Sequence, residues 1–166
     1  MTNKIKIGIS SCLLGNNVRY DGGNKLDTYI LDTFGTIVEW VSICPEVECG
    51  MPVPREPMQL VGDIMKPRLI TAESRIDRTG EISSWIENKL REMEQTDFRG
   101  FILKARSPSC GVQGSERFSD SGISIGVSTG LFAEAVMRCF SSLPVEDEER
   151  LRDPGTREQF MARIQT

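Results

Sequence analysis

The feature that most constrains this chain is a repeated unit, a short apolar, β-branched run followed closely by a cysteine. "KIKIGIS" (4–10) leads into "SCLLGNN" and Cys12, "TIVEWVSI" (36–43) is closed by "CPE" and Cys44, and "FRGFILKA" (98–105) is closed by "RSPSCG" and Cys110. Such runs have strand composition, and segments of helical period lie between and after them. "NKLDTYILDTFG" (24–35) sets Leu26, Tyr29, Ile30 and Phe34 near one face, with Gly35 as its stop. "GEISSWIENKLREMEQ" (80–95) carries the stripe Ile82, Trp85, Ile86, Leu90 and Met93, and "STGLFAEAVMRCF" (128–140) is an apolar helix. Strands alternating with helices predict a single α/β domain, Rossmann-like and three-layered, with a mainly parallel sheet.

Two stretches fall outside that alternation. "CGMPVPREPMQLVGD" (49–63) holds Pro52, Pro54 and Pro57 just after Pro45, which predicts a long, irregular, ordered loop. "VEDEERLRDPGTREQFMARIQT" is charged and reads as helix, a break at Asp153-Pro154-Gly155, then helix. The expected division is an α/β domain over 1–145 and a charged C-terminal helical tail over 146–166.

Composition narrows the function classes. A net charge of −4 implies no broad basic face, so nucleic acid is not the expected partner. The N-terminal "MTNKIKIGISSCLLG" is too short and too interrupted in its apolar part for a signal peptide and reads as a first strand. No stretch approaches the ~18–20 apolar residues of a membrane span. A cytoplasmic protein without a membrane partner is expected, monomeric or dimeric.

The chemistry lies in the five cysteines (12, 44, 49, 110 and 139) and in the complete absence of histidine. In a reducing compartment such thiols are metal ligands, catalytic groups or buried side chains more often than disulfides. Cys12, Cys44 and Cys110 each follow a predicted strand. Ligands of open parallel sheets bind outside the carboxyl ends of the strands, so neighbouring strands would bring these three thiols to one rim. Cys139, inside an apolar helix, is expected to be a buried core residue, while Cys49 stands on the loop and is left open.

A thiol nucleophile has no histidine to activate it. A structural zinc site wants four ligands, for which Cys49 would have to be the fourth. Thiolates alone hold iron–sulfur clusters, and three of them on a cubane leave one iron open as a Lewis acid. Glu46, two residues beyond Cys44, is a candidate general acid or base. Ser107 and Ser109 flank Pro108 and can bond substrate or cap a turn. Arg19, Tyr20, Asp21 and Lys25 stand near Cys12, Arg55 lies in "VPRE", and Lys104 reads as an ion-pair partner. Neither a GxGxxG nor a GK[ST] element is present, so nucleotide-cofactor signatures are missing.

The motifs "SSCLLGNNVRYDGGNK", "CPEVECGMPVPRE" and "ILKARSPSCG" closely resemble the bacterial family catalogued as domain of unknown function 523, over roughly residues 5 to 140. Its characterised relatives are thiouracil desulfidases. The resemblance implies a [4Fe–4S] cluster on Cys12, Cys44 and Cys110 and non-redox desulfuration of a thiolated pyrimidine, 4-thiouracil or 2-thiouracil, to uracil and hydrogen sulfide. It also implies Glu46 as the group that activates water and Ser109 and Ser107 as contacts to substrate or cluster sulfur, with Tyr20, Asp21 and Arg55 near the base edge. The segment "LPVEDEERLRDPGTREQFMARI" is similar to the joining segment of longer relatives fused to domain of unknown function 1722, which leaves the natural substrate open. The alternatives are a zinc- or cluster-stabilised binding domain and a sulfide donor in tRNA thiolation.

Overall fold

The structure, a computed structural model, describes residues 3–166. Sheet A is formed by β1 (Ile5–Ser10), β2 (Val38–Ile43), β5 (Phe98–Leu103) and β8 (Val145–Asp147) in the order β2-β1-β5-β8. All three of its pairings are parallel. Helices α1 (Thr28–Phe34) and α5 (Pro154–Ile164) pack on one face. Ile30, Phe34, Phe160 and Ile164 there meet Ile7, Ile9 and Ile102 of the sheet. Helices α3 (Thr79–Glu94) and α4 (Leu131–Cys139) pack on the other face, where Ile82, Ile86, Phe132 and Val136 meet Ile43, Phe101 and Leu103. The expected three-layer α/β arrangement with a parallel sheet is the one observed.

Alternation along the strands explains the two cores. Ile7 and Ile9 point to the α1/α5 face, and Gly8 between them leaves room for Phe101 on the opposite side. A Cβ on Gly8 would lie 2.4 Å from the Phe101 ring. Each fully buried Ile or Phe contributes about 1.5–3 kcal/mol relative to exposure, so the strand runs are also the main source of stability.

Three expectations are corrected. The loop over 49–63 is not irregular throughout, because its end forms β3 (Met58–Val61), which pairs antiparallel with β4 (Arg68–Thr71) and parallel with β6 (Ser115–Phe118). With β7 (Ser124–Ser128) these strands make sheet B, ordered β4-β3-β6-β7. The prolines precede the strand and so do not interrupt its ladder. The segment after 145 does not begin as a helix: β8 extends sheet A and is followed by a 3-10 turn, Arg150–Arg152. The domain boundary expected after residue 145 therefore falls inside a strand of sheet A, and α5 buries Phe160 and Ile164 in the core. Finally, Asp153-Pro154-Gly155 is a helix start and not a break. Asp153 accepts the Thr156 N–H at 2.9 Å, and Pro154 stands where the missing N–H costs nothing.

Candidate active site

Three chain segments leave the carboxyl ends of β1, β2 and β5 and enclose one cavity of about 370 Å³. The connection from β1 to β2 crosses the α1 face, whereas β5 is entered from α3 on the opposite face. The strand order thus reverses at β1/β5, the position where open α/β sheets form a crevice.

Cys12 sits in a 3-10 turn, Ser11–Leu14, that ends at Gly15 with φ +92, a left-handed conformation suited to glycine. The Cys12 carbonyl accepts the N–H groups of Gly15 at 3.2 Å and Lys25 at 2.9 Å, which holds the turn against the segment that follows it. Cys44 precedes the single-turn helix α2 (Pro45–Glu48), with Pro45 at the first helical position. The Glu48 carboxylate accepts the Cys44 N–H at 2.7 Å and fixes the residue from behind. Cys110 belongs to a tight loop organised by Ser107. The Ser107 hydroxyl accepts the N–H of Ser109 at 3.2 Å and of Cys110 at 3.1 Å, while its carbonyl accepts the Gly111 N–H at 2.9 Å.

Glu46 is 8% exposed and joins two of these segments. One carboxylate oxygen accepts the Ser109 hydroxyl, and the other lies 3.7 Å from the Cys44 sulfur, whose thiol donates to it. The Ser107 and Ser109 hydroxyls are 3.1 Å apart, so a hydrogen-bonded chain runs from Glu46 through Ser109 to Ser107. Glu46 and Ser107 line the cavity; Ser109, fully buried, lies behind it. The structure therefore brings together Cys12, Cys44, Cys110, Glu46 and Ser107 around one space and places Ser109 as the link between the last two.

Burial raises all three thiols. Cys44 is pushed up to about 12 by desolvation and by the Glu46 carboxylate, with Arg55 opposing. Cys110 is raised by burial and by Glu46, against hydrogen bonds from Ser109 and Ser10. Cys12 is raised by burial, with Arg19 and Lys104 opposing. Without a metal these groups are thiols near neutral pH, and binding one must displace their protons.

The other cysteines lie elsewhere. The Cys49 thiol donates to the Glu46 carbonyl at 3.2 Å and does not line the cavity. Cys139, expected to be buried, is exposed. The helical period sets it on the face of Phe132 and Val136, but it is the last residue of α4, where the helix end runs past the core into solvent. Tyr20 and Arg55 border the cavity, but the Arg55 guanidinium donates to the Val18 and Pro52 carbonyls at 3.0 and 3.2 Å. Asp21 is not at the cavity and accepts the Gly23 N–H at 2.9 Å.

Two supports carry no signal in the motifs. At the start of α4, the Gly130 N–H donates to the Gly111 carbonyl at 2.7 Å, and the Phe132 N–H donates to the Ser109 carbonyl at 2.8 Å. A Cβ at Gly130 would lie 2.6 Å from the Ser109 carbonyl carbon, so only glycine allows this approach. Glu148, just after β8, accepts the Ala105 N–H at 2.8 Å.

Among the described residues, no three His, Cys, Asp or Glu side chains stand close enough to hold a single metal ion. Cys12, Cys44 and Cys110 line one cavity from three separate chain segments.

The surrounding chain matches known proteins over most of its length. It is 29% identical over 148 residues to the uncharacterised protein YbbK of Bacillus subtilis (strain 168), a span covering 84% of this chain and 97% of that protein. The fold is similar to the solved structure of a [4Fe-4S]-dependent thiouracil desulfidase, TudS, with a TM-score of 0.72 and 31% identity, covering 94% of this chain and 99% of the other. The 2-thiouracil desulfurase family matches residues 7–148, from β1 through the residue after β8, and takes in all three cysteine-bearing strand ends. This chain belongs to the 2-thiouracil desulfurase family.

Proposed function

We propose that this chain is a [4Fe–4S]-dependent thiouracil desulfidase, which converts a thiolated uracil and water to uracil and hydrogen sulfide without net redox change. The observation that carries the reading is the convergence of Cys12, Cys44 and Cys110 on one cavity whose wall also holds Glu46. The donor set fits the group, since three soft thiolates and no histidine favour iron–sulfur over zinc or oxygen-loving ions. The three cysteines would hold three corners. When bound, such a cluster supplies one iron with no protein ligand, a Lewis acid for the thiocarbonyl sulfur of the substrate.

The chain's own groups perform the proton work. Glu46 takes a proton from the water that attacks the ring carbon. The new C–O bond forms, the C–S bond breaks, and the electron pair of that bond leaves with sulfur. Glu46 then returns that proton to the departing sulfur. The second proton of the water leaves the new C–OH as it becomes the uracil carbonyl and passes by the same carboxyl to sulfur, so both protons of the water end in hydrogen sulfide. Ser109 holds the carboxylate in place through its hydroxyl, and Ser107 presents the far end of the same hydrogen-bonded chain to the cavity. The substrate is 4-thiouracil or 2-thiouracil, with Tyr20 bordering the space for a planar ring.

The test is anaerobic reconstitution with iron and sulfide, followed by turnover of 4-thiouracil read as loss of its near-ultraviolet absorbance and release of sulfide. Release of one sulfide per uracil is expected. A chain that takes up zinc on four thiolates, or that binds a cluster and releases no sulfide from either isomer, sinks the reading.

A further inference from the structure

Lys104 and Glu148 form an ion pair in the cavity wall that the proposed chemistry has not used. Lys104 follows β5 and lines the cavity, and its ammonium is bonded to one Glu148 carboxylate oxygen and lies 3.4 Å from the Ala105 carbonyl. The second Glu148 oxygen accepts the Ala105 N–H at 2.8 Å, and the Lys104 N–H donates to the Ser10 hydroxyl at 2.8 Å. The two side chains are only 12% and 7% exposed. Two bonds hold the ammonium, and two more hold Glu148 and the Lys104 backbone against the segment that leads to Cys110 and the end of β1.

Stability alone is a weak reason for such a pair. Burying both charges costs several kcal/mol per ion, and apolar residues of similar volume often do as well. An ammonium has three N–H donors, and Glu148 and the Ala105 carbonyl occupy two. Among the cavity's other cations, Arg19 and Lys25 come from the loop around Cys12, Arg55 from the proline-rich segment, and Arg106 is drawn off by Glu149 at 2.7 Å. Lys104 is paired with a buried carboxylate, whereas Arg55 is held by backbone carbonyls. Lys104 and Cys12 line the same cavity, and the Ser10 hydroxyl that accepts the Lys104 N–H lies two residues before Cys12.

We propose that Lys104 is a positioning residue that presents a fixed positive charge to the Cys12 thiolate and the group it holds, and that Glu148 anchors and counterbalances that charge. The inference rests on the three-cysteine cluster reading. It makes the segment after β8 part of the site and gives a cluster with three thiolates and a nearby carboxylate a compensating cation in low dielectric.

The sign of the electrostatics supplies the test. A positive charge near an iron–sulfur cluster favours its reduced, more negative state. In the anaerobically reconstituted full chain, Lys104→Met should lower the cluster midpoint potential and Lys104→Arg should restore it. Glu148→Gln, which removes the negative partner, should raise it. A role confined to folding would lower cluster content or melting temperature in both variants without opposite shifts in potential. Iron and sulfide content and the thermal midpoint are measured in parallel.

Unchanged potentials, or shifts of the same sign in Lys104→Met and Glu148→Gln, overturn the proposal while leaving the desulfidase reading intact. If Lys104→Met does not fold, Glu148→Gln decides alone: a rise supports the couple, and no change or a fall overturns it. A wild-type chain that binds no iron and sulfide overturns the cluster reading and the couple with it.

Discussion

Sheet A carries helices on both faces and keeps Ile7, Ile9, Phe101 and Ile102 fully out of water. Sheet B adds Leu60 and Leu69 to the core but leaves its outer strand β7 in solvent, with Ile125 at 47% and Val127 at 59% exposure. The difference in strand direction matters as much as the difference in burial. Parallel strands all end on the same side, so the segments leaving β1, β2 and β5 meet at one rim. The hairpins β3–β4 and β6–β7 run antiparallel and send successive ends to opposite sides. Sheet A can therefore gather three thiols from distant parts of the chain. Sheet B serves as a buttress, with the lead-in to β3 (Arg55 to Met58) closing one cavity wall.

The largest effect expected from this contrast is at the rim. Alanine at Cys12, Cys44 or Cys110 should abolish both cluster absorbance and desulfidase activity, whereas Cys49→Ala and Cys139→Ala should keep both. Iron and sulfide analysis per chain checks this, and a full cluster in any of the first three variants removes that residue from the ligand set.

Glu46→Gln should preserve the cluster and lower kcat by about 10²–10⁴, the range for loss of a general acid–base group. Steady-state kinetics on protein of matched iron content gives the ratio, and a loss of less than tenfold would exclude Glu46 from proton transfer. The two sheets can also be compared by stability. Phe101→Ala should cost about 3–5 kcal/mol by emptying the centre of sheet A. Val127→Ser in β7 should stay within about 0.5 kcal/mol. Denaturant midpoints decide, and equal costs would break the distinction between core sheet and buttress. The smallest effect on catalysis is at Ser109→Ala, which removes a hydrogen bond to a carboxylate worth about 1.5–3 kcal/mol. Its kcat should fall by roughly 10- to 150-fold with KM little changed.

Legibility in the sequence followed the same division. Strands β1, β2 and β5 were readable because they are dense in β-branched and aromatic residues and each is closed by a polar turn. Helices α1, α3 and α4 were readable from their apolar stripes. Sheet B was not, since its strands are four or five residues long and β3 pairs with β6 across Leu60–Arg117, a contact between residues far apart in the chain. β8 escaped for a related reason: "VED" has a strand's place only because β5 lies beside it. Cys139 was misjudged because it lies on the apolar face of α4 by period, while the helix ends there beyond the core.

By itself the sequence determined the chemistry available: three thiols behind strand runs, a carboxylate two residues from one of them, and no imidazole to make a thiol nucleophilic. Local composition suffices for that, because side-chain type and strand propensity are properties of short segments. Only the tertiary structure decided which groups meet. Strand order brings Cys12, Cys44 and Cys110 to one cavity, leaves Cys49 outside it, and sets Ser109 against Glu46 and Glu148 against Lys104. Those encounters depend on how non-local strands pair and on how closely Gly130 lets α4 approach the Cys110 loop, neither of which hydrophobic periodicity records.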